Sequence, residues 1–331
     1  MAAPQSLSHH LSQGKGQDPM KHVRSLAAAE LETSSLTIGT FDGVHLGHQE
    51  IIRRLVSEAR EHDRPAVVVT FHPHPAIVLG AVTGPFYLTL PEKRARLLEG
   101  LGVDLVVTHP FTEQVSEMSA EGFISRLQEQ LHFKNLRIGY DFALGKDREG
   151  DPDRLRALGQ DYGYSLNITP PIKVADRKVS SSAVRKMLRA GEVEQAARFL
   201  GRPFALAGEV VPGDQRGRSL GFPTSNLEVP EGMIDLKPGV YAGFARVENE
   251  CWRAVTNIGF RPTFEADQVP LRVETHLLDF TDNLYDRSIE VSFQIKLREE
   301  RKFDGVESLI AQIHRDVEQT RKLLPAESPA F

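Results

Sequence analysis

The chain has 331 residues, of which 40% are apolar and 26% are charged, as in an ordinary globular protein. This length fits two domains of usual size better than one. The formal net charge of -5 provides no basic footprint for a polyanion, so we expect no nucleic-acid partner.

The cysteine content and the hydrophobicity of the chain indicate its cellular location. Cys251 is the sole cysteine, so the chain can form neither an internal disulfide nor a cysteine-built zinc site, and a reducing cytoplasm is the simplest location. Since no segment approaches the roughly 20 apolar residues of a membrane span, we expect no membrane partner. Residues 1–30, rich in Gln, Ser, Gly and Pro, are predicted to be a disordered leader.

The first predicted domain covers residues 31–187, where short β-branched runs alternate with longer amphipathic stretches. This alternation indicates an α/β domain with a parallel sheet flanked by helices. Strands are predicted at 36–39, 66–71, 105–108, 136–139 and 166–169. Helices are predicted between them, at 47–61, 91–100, 119–130 and 152–163.

The second predicted domain covers residues 203–327 and follows a linker at 188–202. Helical patterns at 180–188 and 193–200 end at the breakers Gly201 and Pro203. Short strands follow at 205–211, 239–247, 251–258, 273–278 and 289–297, which predicts a small antiparallel β-barrel. A closing amphipathic helix is predicted at 306–324.

A glycine turn and two histidines form the first candidate site. Gly39 and Gly43 permit sharp backbone turns around Phe41, and His45 and His48 then share one face of a first helical turn. A helix N-terminus with two imidazoles suits the phosphates of a nucleotide, so the segment predicts an ATP site. Exposed or capping histidines are the alternative, but the density of these residue types favours a functional site.

A serine-rich helix start is the second element of this site. Ser181 and Ser182 open a helix that carries Arg185 one turn later. Hydroxyls, free backbone N–H groups and a guanidinium suit a triphosphate. An N-cap with a surface arginine explains the same residues.

A flat ring has candidate contacts at the ends of two predicted strands, the edge at which open α/β sheets bind ligands. Phe71 and Pro73 offer an apolar wall after one strand, and Asp141 and Phe142 follow another. A turn carboxylate explains Asp141 equally well. His72 and His74, on either side of Pro73, are as consistent with structural roles as with catalytic ones.

The predicted barrel contains a second candidate site. Thr224 and Asn226 offer neutral oxygens suited to Mg²⁺ bound with nucleotide phosphates. Glycines precede them in a loop that we expect to fold over the nucleotide: Gly213, Gly217 and Gly221. Glu274 lies in a predicted strand and is expected to face the barrel interior, where it suits a general base for a substrate hydroxyl. A salt bridge with Arg272 is an equally good explanation.

The ordered set of motifs closely resembles the prokaryotic bifunctional riboflavin kinase/FMN adenylyltransferases, also called FAD synthetases, over residues 36–324. The segments are GTFDGVHLGH, TFHPHP, GYDFALG, VSSSAVR, GRSLGFPTSN, PGVYAG, ETHLLDF and LREERKF. The resemblance implies an N-terminal nucleotidyltransferase domain (HxGH, Rossmann-like) and a C-terminal kinase domain on a six-stranded barrel. It implies phosphorylation of riboflavin to FMN and adenylylation of FMN to FAD, with ATP and Mg²⁺ and with release of pyrophosphate.

By the same resemblance, the adenylylation site contains His45, His48, Asp141, Ser181, Ser182 and Arg185. The kinase site contains Thr224 and Asn226 at Mg²⁺ and ATP, with Glu274 as catalytic base. The sequence departs from the family's usual Asn at Thr40 and often-found Arg at Ala143, and in two smaller ways at Ser182 and Ser225. A kinase with an inactive first domain and a flavin-binding carrier are the rival hypotheses. The chain is expected to be monomeric or transiently homo-oligomeric.

Overall fold

A parallel sheet of six strands forms the first domain of the computed structural model, which describes residues 19–212, 221–260 and 271–326. The spatial order of the strands is β1-β4-β3-β2-β5-β6. Every residue of β2, β3 and β4 is buried, as expected for strands covered on both faces. The strands are β1 (Lys21–Val23), β2 (Ser34–Ile38), β3 (Ala66–Phe71), β4 (Leu105–His109), β5 (Phe133–Gly139) and β6 (Ser165–Thr169).

The edge strand β1 lies within the segment that the sequence predicts to be a disordered leader. It pairs with β4, and Leu26 just after it is fully buried. The ordered domain therefore begins before residue 30, and residues 1–18 lie outside the described ranges. A strand of three residues is too short to produce a recognisable alternation.

Helices cover both faces of the sheet, as the sequence predicts. Side-chain caps start five of the six; for example, the side chains of Ser119 and Asp151 accept the N–H groups of Gly122 and Arg154. Apolar clusters fill the space on each face. The helices are α1 (Leu46–Glu61), α2 (Pro75–Val78), α3 (Pro91–Glu99), α4 (Glu113–Ser116), α5 (Ala120–Leu131) and α6 (Pro152–Tyr162).

A short hairpin, β7 (Lys173–Val174) and β8 (Arg177–Lys178), leads from the sheet to two further helices, α7 (Ser181–Ala190) and α8 (Val193–Leu200). The segment predicted as a linker is thus mostly helical. The apolar residues of α8 join the core cluster of the barrel, together with residues of α7.

The second domain is a closed barrel of six antiparallel strands, in the order β10-β13-β12-β11-β14-β9. The strand β10 was not predicted, because it has only four residues and the first two, Ser225 and Asn226, belong to the GFPTSN motif. The strands are β9 (Phe204–Val211), β10 (Ser225–Glu228), β11 (Gly239–Val247), β12 (Glu250–Phe260), β13 (Leu271–Leu277) and β14 (Ser288–Arg298).

The last helix, α9 (Val306–Leu323), packs outside the barrel against β11 and β12, which confirms the predicted closing helix. Within the described ranges no helix has both the length and the apolar character needed to cross a membrane.

The two domains are joined by backbone hydrogen bonds as well as by packing. The N–H groups of Phe86 and Tyr87 donate to the carbonyl of Gly232 at 2.7 and 2.8 Å, and the N–H of Ile234 donates to the carbonyl of Tyr87 at 2.9 Å. The segment that follows α2 is therefore hydrogen-bonded to the barrel domain.

Candidate active sites

A cavity of about 760 Å³ opens at the carboxyl edge of the parallel sheet. Along the chain, β3 and β4 are added on one side of β2, whereas β5 and β6 are added on its other side. The cavity therefore lies at the point where the strand order reverses, which is where such sheets bind ligands. Eight predicted site residues line it: Gly39, Phe41, His45, His48, Phe71, Asp141, Phe142 and Ser181.

The two histidines of the first motif form a stacked pair at the cavity wall. Their ring centroids lie 3.6 Å apart with an angle of 15° between the rings. The N–H of His48 donates to Nδ1 of His45 at 3.2 Å, so His45 is the N-cap of α1 and its Nε2 carries the proton as a donor.

Burial keeps both imidazoles neutral near neutral pH. It lowers the pKa of His45 to about 4, and it lowers the pKa of His48 well below the usual value, with a further contribution from His45. A neutral imidazole can still donate one hydrogen bond to an anion, without a second charge to desolvate.

The first turns of α1 and α7 meet at this wall. Ser181 donates its hydroxyl to the carbonyl of Asp42 at 2.8 Å, and Ser180 caps α7 by accepting the N–H of Ala183. A Cβ on Gly47 would lie 3.2 Å from the His45 ring, so only glycine leaves this corner open. Two helix starts therefore contribute partial positive charge at one place.

Arg185 lies deeper than the sequence suggests. Its Nη2 donates to Oδ2 of Asp42 at 2.6 Å, its Nε donates to the carbonyl of Phe86, and its guanidinium lies 3.6 Å from the centroid of the Phe86 ring. Arg185 and Gly43 lie outside the cavity lining, as does the exposed Ser182.

Sequence reasoning missed the role of Asp42. This carboxylate is fully buried, and it accepts the N–H groups of Leu88 and Thr89 besides the guanidinium of Arg185. Fully buried Arg94 approaches it to 3.8 Å. A charged residue among the glycines of the first motif was the available signal, but its partners come from distant segments.

Phe71, which was predicted to offer an apolar wall, lies at an apolar end of the cavity. The Phe71 ring contacts Phe111 at 5.5 Å in an edge-to-face arrangement and Phe123 at 6.1 Å. Pro73 follows a cis peptide bond and lies outside the lining, whereas His74 lines the cavity. Burial lowers the pKa of His74 to about 4.

Asp141 lies at the exposed side of the cavity. Lys178 Nζ lies 2.9 Å from its carboxylate, and Arg148 donates to its carbonyl at 3.0 Å. Thr40 and Ala143, where the sequence departs from the family pattern, also line the cavity.

The second candidate site is a row of side chains across three strands of the barrel. Asn226 on β10 and Asn257 on β12 both pair with Glu274 on β13. Since directly opposed residues point to the same face of a sheet, these three side chains lie side by side.

The prediction that Glu274 faces the barrel interior is wrong. Its neighbours Val273 and Leu277 belong to the barrel core, so Glu274 points outward by alternation, beside Arg272 and His276. Glu274 forms an ion pair with Arg272, and its side chain is 22% exposed.

The segment just before β10 leads up to this row. Thr224 is exposed, and Gly221 has φ +84 with open space where a Cβ would lie. Phe222 packs edge-to-face on His276 and His314. Gly213 and Gly217, which complete the predicted closing loop, lie outside the described residues.

The donor set at this second site fits Mg²⁺. Among the described residues, no group of three or more His, Cys, Asp and Glu side chains is arranged to hold a metal ion. Mg²⁺ bound with a nucleotide needs only one or two protein oxygens, since phosphates and water fill the remaining positions. Thr224, Asn226 and Glu274 offer such oxygens within one short stretch of surface.

Fold and sites together define a two-domain transferase, with a nucleotidyltransferase domain of α/β type followed by a barrel kinase domain. Residues 27–183 match the family model described as FAD synthetase, and residues 200–324 match the one described as riboflavin kinase. The chain belongs to the bifunctional riboflavin kinase/FMN adenylyltransferases, the enzymes that make FAD from riboflavin.

Curated relatives match the chain over nearly their whole length. The bifunctional riboflavin kinase/FMN adenylyltransferase of Pseudomonas fluorescens is 40% identical over 87% of this chain and 92% of its own. That of Listeria monocytogenes is 38% identical over 86% and 91%. That of Escherichia coli K12 is 36% identical over 94% and 99%.

A solved structure has the same fold throughout. A crystal structure described as that of a macrolide-efflux protein from Streptococcus pneumoniae aligns with a TM-score of 0.84 and 29% identity. The alignment covers 93% of this chain and all of that one. The efflux description refers to the pneumococcal protein.

Proposed function

We propose that the cavity at the sheet edge performs the adenylylation of FMN and that the outer row on the barrel performs the phosphorylation of riboflavin. The observation that carries the first half is the stacked pair of His45 and His48 at two converging helix starts. The cavity also joins this polar wall to an apolar end of a size that suits a flavin ring.

In adenylyl transfer, the FMN phosphate is already an anion, so the reaction needs positioning and charge neutralisation more than a strong base. Neutral His45 and His48 donate to the oxygens of the α-phosphate as negative charge builds there. The first N–H groups of α7, beginning with that of Ser181, bind the departing pyrophosphate. Arg185 stabilises this wall through its ion pair with Asp42. It contacts phosphate only after a shift of its side chain.

In the kinase reaction, Glu274 accepts the proton of the ribityl hydroxyl as that oxygen attacks the γ-phosphate of ATP and ADP departs with the bridging oxygen. Its outward position places the carboxylate where a substrate bound on the barrel surface can reach it. Thr224 and Asn226 would hold Mg²⁺, which neutralises phosphate charge when bound. The ion pair with Arg272 orients the carboxylate between turnovers.

The substrates, the metal, the location and the oligomeric state are part of the same proposal. Riboflavin, FMN and ATP are the partners, with Mg²⁺ as the metal, and we expect neither a nucleic-acid nor a membrane partner. A cytoplasmic location follows from the single cysteine. The chain acts as a monomer or a transient homo-oligomer.

The test uses purified chain with riboflavin, ATP and Mg²⁺ and resolves the products by chromatography. In His48→Ala, FAD formation should fall by about 10²- to 10³-fold, the usual cost of one oxyanion donor, while FMN accumulates at the normal rate. His62→Ala, at an exposed residue at the other end of α1, is the matched control and should keep both rates.

Two outcomes would contradict the proposal. Equal loss of both activities in His48→Ala would reject separate sites. Accumulation of FMN without FAD by the unmodified chain, even at high ATP, would favour the rival in which the first domain has lost turnover.

A further inference from the structure

Arg202 connects the kinase part of the chain to the adenylylation site. It lies just after α8, within the residues that match the riboflavin kinase family. Its guanidinium nevertheless reaches the first domain: Nη2 donates to the carbonyl of Gly43 at 2.8 Å, and Nη1 donates to the carbonyl of Val44 at 3.3 Å. These two residues directly precede His45.

The turn that Arg202 contacts has an unfavourable backbone. Gly43 has φ +84 and Val44 has φ +41, and a β-branched residue in the left-handed region is strained unless its surroundings hold it there. Val44 is also buried, so water is not available to its carbonyl as a substitute donor.

A second donor shares this task from within the first domain. Gln49 Nε2 donates to the carbonyl of Val44 at 3.0 Å and to that of Leu200 at 2.7 Å. Arg202 also reaches Leu200, at 3.4 Å. The turn before His45 and the end of α8 are thus held together by two side chains.

The charge of Arg202 is enclosed as well. Burial lowers its pKa to about 10, which leaves it charged at neutral pH, and the carboxylate of Glu290 opposes that shift. Glu290 lies on β14 and forms ion pairs with Lys93 and Arg246. A partly buried cation with its donors on three backbone carbonyls has a fixed position.

We propose that Arg202 is a positioning residue for FMN adenylylation, which fixes the turn at Gly43 and Val44 and thereby orients His45 in the cavity. Arg202 itself lies outside the cavity lining, so it acts through the turn and not on substrate. The inference rests on the proposed role of His45 and His48. It also means that the kinase domain completes the neighbouring site.

The test compares Arg202→Met and Arg202→Lys in the full chain. For Arg202→Met, kcat of FMN adenylylation should fall by about 10- to 100-fold with KM for FMN and ATP nearly unchanged, because small displacements of a catalytic group cost this much. Riboflavin phosphorylation should stay normal. Arg202→Lys, which keeps the charge, should recover part of kcat. Arg198→Met, at an exposed arginine of α8, is the matched control.

The pH profile gives a readout that a merely structural role would not move. Burial is the main cause of the low pKa of His45; positive charges on Arg185 and Arg202 lower it further, and Asp42 opposes them. Loss of the Arg202 charge should therefore shift the acid limb of FAD formation to higher pH. If Arg202→Met does not fold, Gln49→Ala replaces it and should lower the same kcat by a smaller factor.

The outcomes separate this inference from the proposal on which it rests. Normal kcat for FAD formation in folded Arg202→Met or, in its absence, Gln49→Ala overturns the inference, and so does a parallel fall of both activities together with Tm. If His48→Ala keeps FAD formation, the proposed site itself fails. If His48→Ala loses it while Arg202→Met is normal, only the role of Arg202 is rejected.

Discussion

The two candidate sites obtain their geometry in different ways. At the cavity, His45 and His48 depend on a buried network around Asp42 and on two helix starts. On the barrel, Asn226, Asn257 and Glu274 are aligned by strand register on an outer face. The first site is therefore coupled to the stability of the fold, whereas the second can be altered with little effect on it.

The largest effect should come from Glu274→Gln, which removes the proposed base. The rate of FMN formation should fall by about 10²- to 10⁴-fold, the range attributed to general-base catalysis, while riboflavin still binds. The free energy of unfolding should change by less than about 1 kcal/mol, since the ion pair with Arg272 is partly exposed. Steady-state kinetics and urea unfolding measure the two quantities.

The control for this variant is Glu250→Gln, at an exposed glutamate at the start of β12. A normal rate of FMN formation in Glu274→Gln would reject the assignment of the base.

Asp42→Asn should show the opposite behaviour, with a large effect on stability. It leaves Arg185 and Arg94 buried without their counter-charge, so unfolding free energy should fall by about 3–5 kcal/mol. Urea unfolding checks this value against Asp63→Asn at an exposed residue of positive φ, where Asn is well tolerated. A loss below about 1 kcal/mol would show that the two arginines find other partners.

Acid should lower the free energy of unfolding through His45 at the cavity. Burial lowers the pKa of His45 from 6.5 to about 4, so between these values the unfolded chain binds a proton that the folded chain does not. The stability is therefore complete above pH 6.5 and is lost as pH falls toward 4, by about 3 kcal/mol for this residue.

Urea unfolding at pH 6.5, 5.5 and 4.5 tests this dependence. His45→Gln should unfold with a shallower dependence on pH than the unmodified chain. The same slope in both proteins would contradict burial as the cause.

The smallest expected effect concerns Thr40, which lines the cavity and accepts a hydrogen bond from Thr70 only through its backbone. Thr40→Asn restores an amide that can donate and accept at the cavity wall. One added hydrogen bond of about 1 kcal/mol should speed FAD formation about fivefold and leave FMN formation unchanged. Thr40→Ser should match the unmodified chain, and a slower Thr40→Asn would show that the wall has adapted to threonine.

Much of the fold follows from the sequence because its elements are long and regularly patterned. The strands Ala66–Phe71 and Gly239–Val247 and the helix Val193–Leu200 have the predicted bounds. Lys21–Val23 and Ser225–Glu228 were missed because three or four residues show no clear period. Alternation also placed Glu274 and His276 on one face but did not say which face is outside; Val273 and Leu277 decide that by joining the core.

The sites were predictable only as far as local motifs reach. The two histidines were predicted to share one face of a helical turn and both line the cavity, while their role at phosphate stays a prediction. The buried partners of Asp42 and the contact of Arg202 with Gly43 join segments that are more than 40 residues apart, which no local spacing reveals. The ion pair between Arg185 and Asp42 is of the same kind.

One apolar cluster contains Leu88 and Val184 from the first domain together with Leu206 and Phe293 from the barrel. Unfolding of either half would expose side chains that the other half needs for its own packing, so we expect heat to melt both in one cooperative transition. A proteolytic cut in that unfolded state would then inactivate both reactions. Each intact molecule therefore keeps its FMN-producing and FMN-consuming activities in a fixed ratio throughout its lifetime.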